Sequence, residues 1–152
     1  GEDPRFIARR LIILASEDIG LADSTALPLA VSAFDTVASI GMPEARIALA
    51  QVTIYLALAP KSNSAYLAIN QAIQDVREGF QPAIPLYLRS AASARTGAQK
   101  QYRYPHDDAM AVVSQDYTTE PRLYYTPKSL GDEKLLIDRL EALRAIIRGK
   151  KA

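Results

Sequence analysis

A single histidine lies beside two carboxylates in the sequence Tyr-Pro-His-Asp-Asp, where His106 precedes Asp107 and Asp108. An imidazole next to carboxylates could bind a metal ion or act as a general base, which makes a small metal-dependent hydrolase one candidate function. Hydrolytic metal sites usually take several ligands from separate elements, and this sequence has no second histidine and no cysteine. A solvated turn is therefore our preferred interpretation, and no metal ion is expected in this chain.

Two adjacent acidic residues, Glu17 and Asp18, could form an acid and base pair, and Arg9 and Arg10 precede them on the same helical stretch. Neighbouring residues on an α-helix point about 100° apart, so the two carboxylates do not converge on one substrate atom. Carboxylates at a helix C-terminus also oppose the helix dipole, which indicates a tertiary partner. We interpret these charges as candidates for structural ion pairs, with Arg46 as the candidate partner of the carboxylates.

The clearest local charge bias lies between Glu78 and Asp107, where basic residues occur without any acidic residue. Basic groups interleaved with aromatic rings are typical of surfaces that bind single-stranded nucleic acid. Because the basic residues are few for a stretch of this length, an ordinary loop anchored by its tyrosines is the alternative that we favour. The candidate contacts for DNA or a partner protein are Arg89, Arg95, Lys100, Arg103, Tyr102 and Tyr104.

Motifs for nucleotide binding and for nucleophilic catalysis are missing, since the sequence has no G-x-x-x-x-G-K-[ST], no G-x-G-x-x-G and no G-x-S-x-G. The chain is therefore expected to have no catalytic residues and no cofactor of its own. A formal net charge of +1 provides no global field toward nucleic acid or a membrane. The sequence also lacks an apolar stretch of about 20 residues and a signal peptide, so a cytoplasmic location is favoured.

Helix-start signals, helix stops and apolar spacing predict four helices in the first half of the chain. The first begins at Asp3-Pro4, where a carboxylate can accept from free amides, and ends near Ile19. The others run over about 23–41, 43–59 and 62–79. The third has so few polar residues that it should be covered on most sides, and the fourth carries one apolar stripe of Tyr66, Ile69, Ile73 and Val76.

The short connections predict antiparallel packing, so residues 3–80 are expected to form an all-α helical bundle. Residues 81–130 are rich in proline and tyrosine and are predicted to be mostly irregular, with a possible short strand at 122–127. A last helix is predicted over about 131–148, and its stripe consists of Leu136, Leu140, Leu143 and Ile147. At 152 residues without a long linker, the chain is expected to be one domain.

Several stretches carry a resemblance to a known family: GEDPRFIARRLIILASEDIGLAD at 1–23, GMPEARIALAQVTIYLALAPKSNSAY at 41–66 and, more loosely, YRYPHD with RLYYTP. They resemble the C-terminal region of the RarA/MgsA family of AAA+ ATPases, bacterial replication-associated recombination proteins related to the Werner helicase-interacting protein. The blocks ASEDIGLAD and APKSN are its most specific parts. The sequence HDDAMAVVSQDY departs from the glycine-rich stretch that commonly follows the histidine-aspartate pair in the family.

The resemblance implies a helical module that follows an ATPase domain, as in the collar of clamp loaders, and that builds a homotetramer. ATP and magnesium would bind the ATPase domain of the parent protein, whose implied partners are DNA and single-strand-binding protein at stalled forks. The nearly unbroken apolar surface of 43–59 also favours subunit contact. The leucine stripe of the last helix is the candidate subunit interface.

We predict that the isolated chain binds single-stranded DNA weakly, because its net charge is close to neutral and phosphate contacts dominate such affinity. Fluorescence anisotropy with a labelled oligonucleotide should show binding that fades as salt is added. Tight binding at high salt that is unchanged in the double variant Arg89→Ala, Arg103→Ala would contradict this prediction.

Overall fold

The computed structural model describes residues 1–89, 97 and 101–149, and the regular secondary structure in this part of the chain is helical throughout. The all-α fold class is thereby confirmed. The α-helices are α1 (Pro4–Leu14), α2 (Ala26–Ile40), α3 (Ala45–Leu58), α4 (Ser64–Arg77) and α5 (Ile137–Ile147). None of them combines the length and the hydrophobicity that a membrane span requires within the described residues.

The first helix begins and ends near the predicted residues, but its last turn is not α-helical. The Asp3 carboxylate accepts from the amide of Arg5 at 2.9 Å, and Pro4 occupies the first helical position. The helix then continues to Ile19, as predicted, but its last part at Ala15–Ile19 is a π-helix, and a 3-10 turn follows at Gly20–Ala22. The Ser16 hydroxyl donates to the carbonyls of the preceding turn, an interaction that commonly bends helices.

The core lies between α1, α2 and α3, which pack against one another. Alanines dominate the buried face of α2, and their small side chains let the neighbouring helices approach closely. Leucine, isoleucine and valine fill the remaining space from α1, its π-turn and α3. The buried residues of this core are Ala8, Leu11, Ala15, Ile19, Ala26, Ala30, Ala33, Val37, Ala45, Leu49, Val52 and Leu56.

The described residues form two compact units. The first comprises residues 1–73 together with 124–136, and the second comprises residues from 74–123 and the chain after 136. We call residues 124–136 the return segment, because the chain comes back through them to the helices of the first unit. The expected single domain of residues 1–152 stays a prediction.

A buried carboxylate ties the return segment to the connection between α3 and α4. Glu133 is 0 % exposed and accepts hydrogen bonds from the hydroxyls of Ser62, Ser64 and Tyr125, the last at 2.9 Å. Burial raises the pKa of Glu133, but these three hydrogen bonds and one from the Lys128 amide outweigh it and hold the pKa below its ordinary value. The side chain is therefore a fully buried carboxylate in its charged form.

The return segment also makes a backbone contact that only glycine allows. Gly131 has a φ of +53°, and a Cβ atom there would lie 2.1 Å from the carbonyl oxygen of Ala22 and 2.7 Å from the Pro60 ring. Gly20 makes a comparable approach, since its Cβ would lie 2.7 Å from the carbonyl oxygen of Ser62. The turn after α1, the α3–α4 connection and the return segment thus meet at two glycines.

The last predicted helix consists of two elements. A 3-10 helix covers Gly131–Leu136 and α5 begins at Ile137, so the predicted α-helix over 131–148 was too long at its N-terminal end. Leu136 belongs to the first unit, whereas Leu140, Leu143 and Ile147 belong to the second. Glu133 accounts for the separate 3-10 helix before α5, because its hydrogen bonds hold this first turn against Ser62 and Ser64.

Pairs of hydrogen bonds and one ion pair hold the irregular part of the second unit. The guanidinium of Arg122 lies 2.6 Å from the buried carboxylate of Asp75 and 3.7 Å from the centre of the Phe80 ring. Ala83 and Thr119 exchange two hydrogen bonds of 3.0 and 3.1 Å. Residues 122–127 form no strand, because the backbone of this stretch finds no ladder partner within the described residues.

We predict that Gly131→Ala lowers the free energy of unfolding by more than about 3 kcal/mol. The alanine would be strained by the positive φ, and its Cβ would also overlap the carbonyl oxygen of Ala22. Gly41→Ala is the matched control, since Gly41 also has a positive φ of +67° but has open space around the position of a Cβ. The control should cost about 1–3 kcal/mol of strain alone. Urea unfolding followed by circular dichroism measures both, and equal losses would refute the close contact.

Candidate subunit interface

The apolar stripe predicted on α4 exists, but it lies on the exposed side of the helix. Tyr66, Ile69 and Ile73 follow one another at helical spacing and are each more than two-fifths exposed. Val76 extends the stripe into the second unit and is also exposed. The two buried side chains of α4 are the polar Ser64 and Asp75. We call Tyr66, Ile69 and Ile73 the α4 row.

A second apolar row runs along the outer side of α3. Ile47, Ile54 and Leu58 are 63 %, 61 % and 82 % exposed, and we call them the α3 row. The expectation that this helix is covered on most sides was therefore wrong for the single chain. α1 and α2 cover the inner side of α3, where Leu49, Val52 and Leu56 are buried. The large apolar side chains of the α3 row, on the outer side, remain in water.

The α3 row borders a groove with a volume of about 390 Å³. Its walls consist of Asp23, Gln51, Ile54, Tyr55, Leu58 and Ala59. We call this the α3 groove. Its lining is mainly apolar, and Asp23 supplies its negative charge.

Hydrogen bonds hold the Asp23 carboxylate at the edge of this groove. Its Oδ1 accepts from the amide and the hydroxyl of Thr25 at 3.0 and 2.6 Å, and its Oδ2 accepts from the hydroxyl of Tyr55 at 2.6 Å. Burial raises the pKa of Asp23, but the hydrogen bonds from Thr25 and Tyr55 lower it by a larger amount. The pKa of Asp23 therefore lies below its ordinary value of 3.8. The groove therefore carries a negative charge at neutral pH.

The end of α3 is capped by Lys61 of the APKSN block. Its ammonium group donates to the carbonyl oxygens of Leu56 at 2.9 Å and Ala57 at 3.3 Å, and also to that of Ala59. A cation at a helix C-terminus satisfies free carbonyls and favours the helix dipole. This cap fixes the last turn, which carries Leu58 at the wall of the groove.

The predicted ion pairs of the first helix are not brought together. In the described part of the chain, none of Arg9, Arg10, Glu17, Asp18 and Arg46 lies in an ion pair. The Arg46 guanidinium donates instead to the carbonyl oxygen of Pro43, at 2.6 Å, in the turn that precedes α3. Arg9, Arg10, Asp18 and Arg46 are exposed, so their charges face solvent in the single chain.

The candidate nucleic-acid contacts are only partly described. Arg95 and Lys100 lie outside the described residues, and Arg89, Tyr102 and Tyr104 are exposed. The guanidinium of Arg103 donates to the carbonyl oxygen of Ser114 at 3.2 Å. Arg103 also borders a cavity of about 220 Å³ together with Tyr102, Tyr104, Asp107, Asp108 and Val113, and the two carboxylates there disfavour phosphate.

His106 lies in a short 3-10 turn at Pro105–Asp107, and its ring centre is 5.2 Å from that of Tyr104. Within the described residues, no group of three or more histidine or acidic side chains is placed to hold a metal ion. Of the candidate interface stripe, Leu136 is exposed and Leu140, Leu143 and Ile147 are half-buried. The stripe is thus divided between a 3-10 helix and α5.

The geometry therefore describes a helical module with two exposed apolar rows and a charged groove. The sequence matches the family described as "MgsA AAA+ ATPase C terminal" over residues 1–144. The chain belongs to this family, and the resemblance recognised in the sequence is confirmed.

Similar proteins from bacteria support the assignment of the chain to this family. The chain is 49 % identical to an AAA-domain-containing protein of Mycobacterium tuberculosis over 99 % of its length, which is 35 % of that protein. It is 43 % identical to replication-associated recombination protein A of Bacillus subtilis, covering 85 % of this chain and 32 % of the relative. The corresponding protein of Escherichia coli K12 is 37 % identical over 92 % of this chain and 33 % of its own length. The chain thus spans about a third of these relatives.

We predict that Tyr55→Phe raises the pKa of Asp23 toward 3.8, because it removes one of the hydrogen bonds that stabilise the carboxylate. A carboxylate with a lowered pKa stabilises the fold at pH values above that pKa, where it is charged. The free energy of unfolding of the variant should therefore be about 1 kcal/mol lower than that of the wild type near neutral pH. This difference should shrink as the pH falls through the Asp23 pKa. Carboxyl NMR titration and urea unfolding at several pH values measure both effects. Tyr66→Phe is the control, and a loss independent of pH would contradict the prediction.

Proposed function

We propose that this chain is the C-terminal oligomerisation module of a RarA/MgsA-like AAA+ ATPase, and that it associates into a homotetramer. The observation that carries the proposal is the α4 row, in which Tyr66, Ile69 and Ile73 are exposed at helical spacing. An amphipathic helix owes most of its stability to packing of its apolar face. In the single chain this face of α4 is open to water, and a second copy would cover it.

The α3 row supports the same proposal. Soluble monomers rarely expose contiguous apolar patches of large area, and such patches usually mark interaction sites. Two rows on different helices would allow each subunit to contact more than one neighbour. A closed arrangement is expected, because most soluble homo-oligomers adopt point-group symmetry.

We infer the function of the parent protein from the family. Relatives bear the name replication-associated recombination protein, which supports a role in replication-fork maintenance, recombination and repair. ATP and magnesium would bind the ATPase domain of that parent, with DNA and single-strand-binding protein as its partners in the cytoplasm. The module itself would act by binding, holding the ATPase domains together without catalysing a reaction.

We predict that Ile69→Asp weakens self-association by roughly 10- to 100-fold, because burial of a large aliphatic side chain contributes about 1.5–3 kcal/mol. Asn70→Asp is the matched control, since it adds the same charge to an adjacent exposed position of α4. Sedimentation velocity over a range of concentrations measures the mass, and circular dichroism verifies that both variants stay helical. The proposal fails if the wild-type chain is a helical monomer at high micromolar concentration, or if both variants weaken association equally.

A further inference from the structure

The outer face of α1 is both apolar and basic. Phe6 and Ile13 are exposed, and Arg9 and Arg10 lie between them in the sequence. With about 100° per residue, positions 6, 9, 10 and 13 fall on one side of an α-helix, so the two arginines flank the line from Phe6 to Ile13. We call these four residues the α1 face. Its arginines have no ion-pair partner in the described part of the chain.

The α3 groove has the complementary character. Its walls include the most exposed apolar side chain of the helix, Leu58, and the neighbouring Ile54. Asp23 supplies a negative charge that hydrogen bonds hold in place, and no described cation pairs with it. Both surfaces belong to the first unit, where α1 and α3 pack against each other through their opposite, buried sides.

We propose that the α1 face of one copy packs into the α3 groove of a second copy, with the two arginines beside the Asp23 carboxylate. The proposal rests on the self-association proposed above and names one pair of surfaces that would contribute to it in addition to the α4 row. Apolar contact would supply the affinity, whereas the charges would select the partner and the register. Antiparallel packing of the two helices would also bring Glu17 and Asp18 near Arg46, at the first turn of α3.

This contact is heterologous, because each copy offers a different helix to each of its two neighbours. Such contacts produce either a closed ring or an open filament, and they close when the rotation between neighbours divides a full turn. Four copies joined in this way would form a ring of four equivalent contacts. Each charged residue predicted from the first helix would then find a partner on another chain.

Gln51 provides the test, because it is exposed at the wall of the α3 groove and can be given either charge. Gln51→Lys should weaken association by about tenfold or more through repulsion of the arginines, whereas the matched Gln51→Glu should leave it unchanged or strengthen it. The difference between the two variants should shrink as salt is added. Analytical ultracentrifugation of the whole chain at two ionic strengths measures these effects.

Mixing of variants tests the pairing itself. The double variant Arg9→Glu, Arg10→Glu should associate poorly alone, because its glutamates would face Asp23, and Gln51→Lys should also associate poorly alone. An equimolar mixture should recover assemblies in which the two chains alternate, detectable by native mass spectrometry of isotope-labelled subunits. Circular dichroism must show wild-type helicity for each variant.

The outcomes separate the two proposals. If the wild-type chain associates but Gln51→Lys and Gln51→Glu behave alike and the mixture does not recover assembly, the contact proposed here is wrong while self-association stands. If the wild-type chain is a helical monomer at every concentration, both proposals fail. Recovery in a two-chain assembly only, without larger rings, would replace the heterologous ring with a two-fold contact and would overturn the ring.

Discussion

The first unit depends on a buried carboxylate. A charged group removed from water destabilises a fold by several kcal/mol unless polar groups satisfy it. Glu133 is satisfied by hydroxyls that come from two parts of the chain: Ser62 and Ser64, at the start of α4, and Tyr125 in the return segment. This requirement fixes the position of the α3–α4 connection relative to the return segment.

The features that the sequence predicts well are those whose causes are local. Asp3 and Pro4 predict the start of α1 because the cap and the amide that it accepts from are two residues apart. Apolar spacing likewise predicts that α4 has one apolar side. Spacing does not reveal what covers that side, because the answer depends on neighbours that are distant in the sequence or belong to another chain.

The residues that sequence reasoning missed are those with distant partners. Glu133 lies 71 and 69 residues from Ser62 and Ser64, and no local motif distinguishes it from the other acidic residues near the last helix. Asp23 was interpreted as part of a helix start, whereas its role in the groove depends on Tyr55 from α3. The sequence predicts that Arg46 pairs with an acidic residue, but its guanidinium donates to the carbonyl oxygen of Pro43, which lies only three residues before it.

The return segment has a consequence for the order in which the protein folds during synthesis. Residues 1–58 contain the whole three-helix core, so these helices can pack as soon as they leave the ribosome. Gly131 and Glu133 emerge more than 70 residues later, and until then Ser62 and Ser64 lack the carboxylate that holds them. The three-helix core and the residues that line the α3 groove therefore leave the ribosome well before the carboxylate that holds the α3–α4 connection.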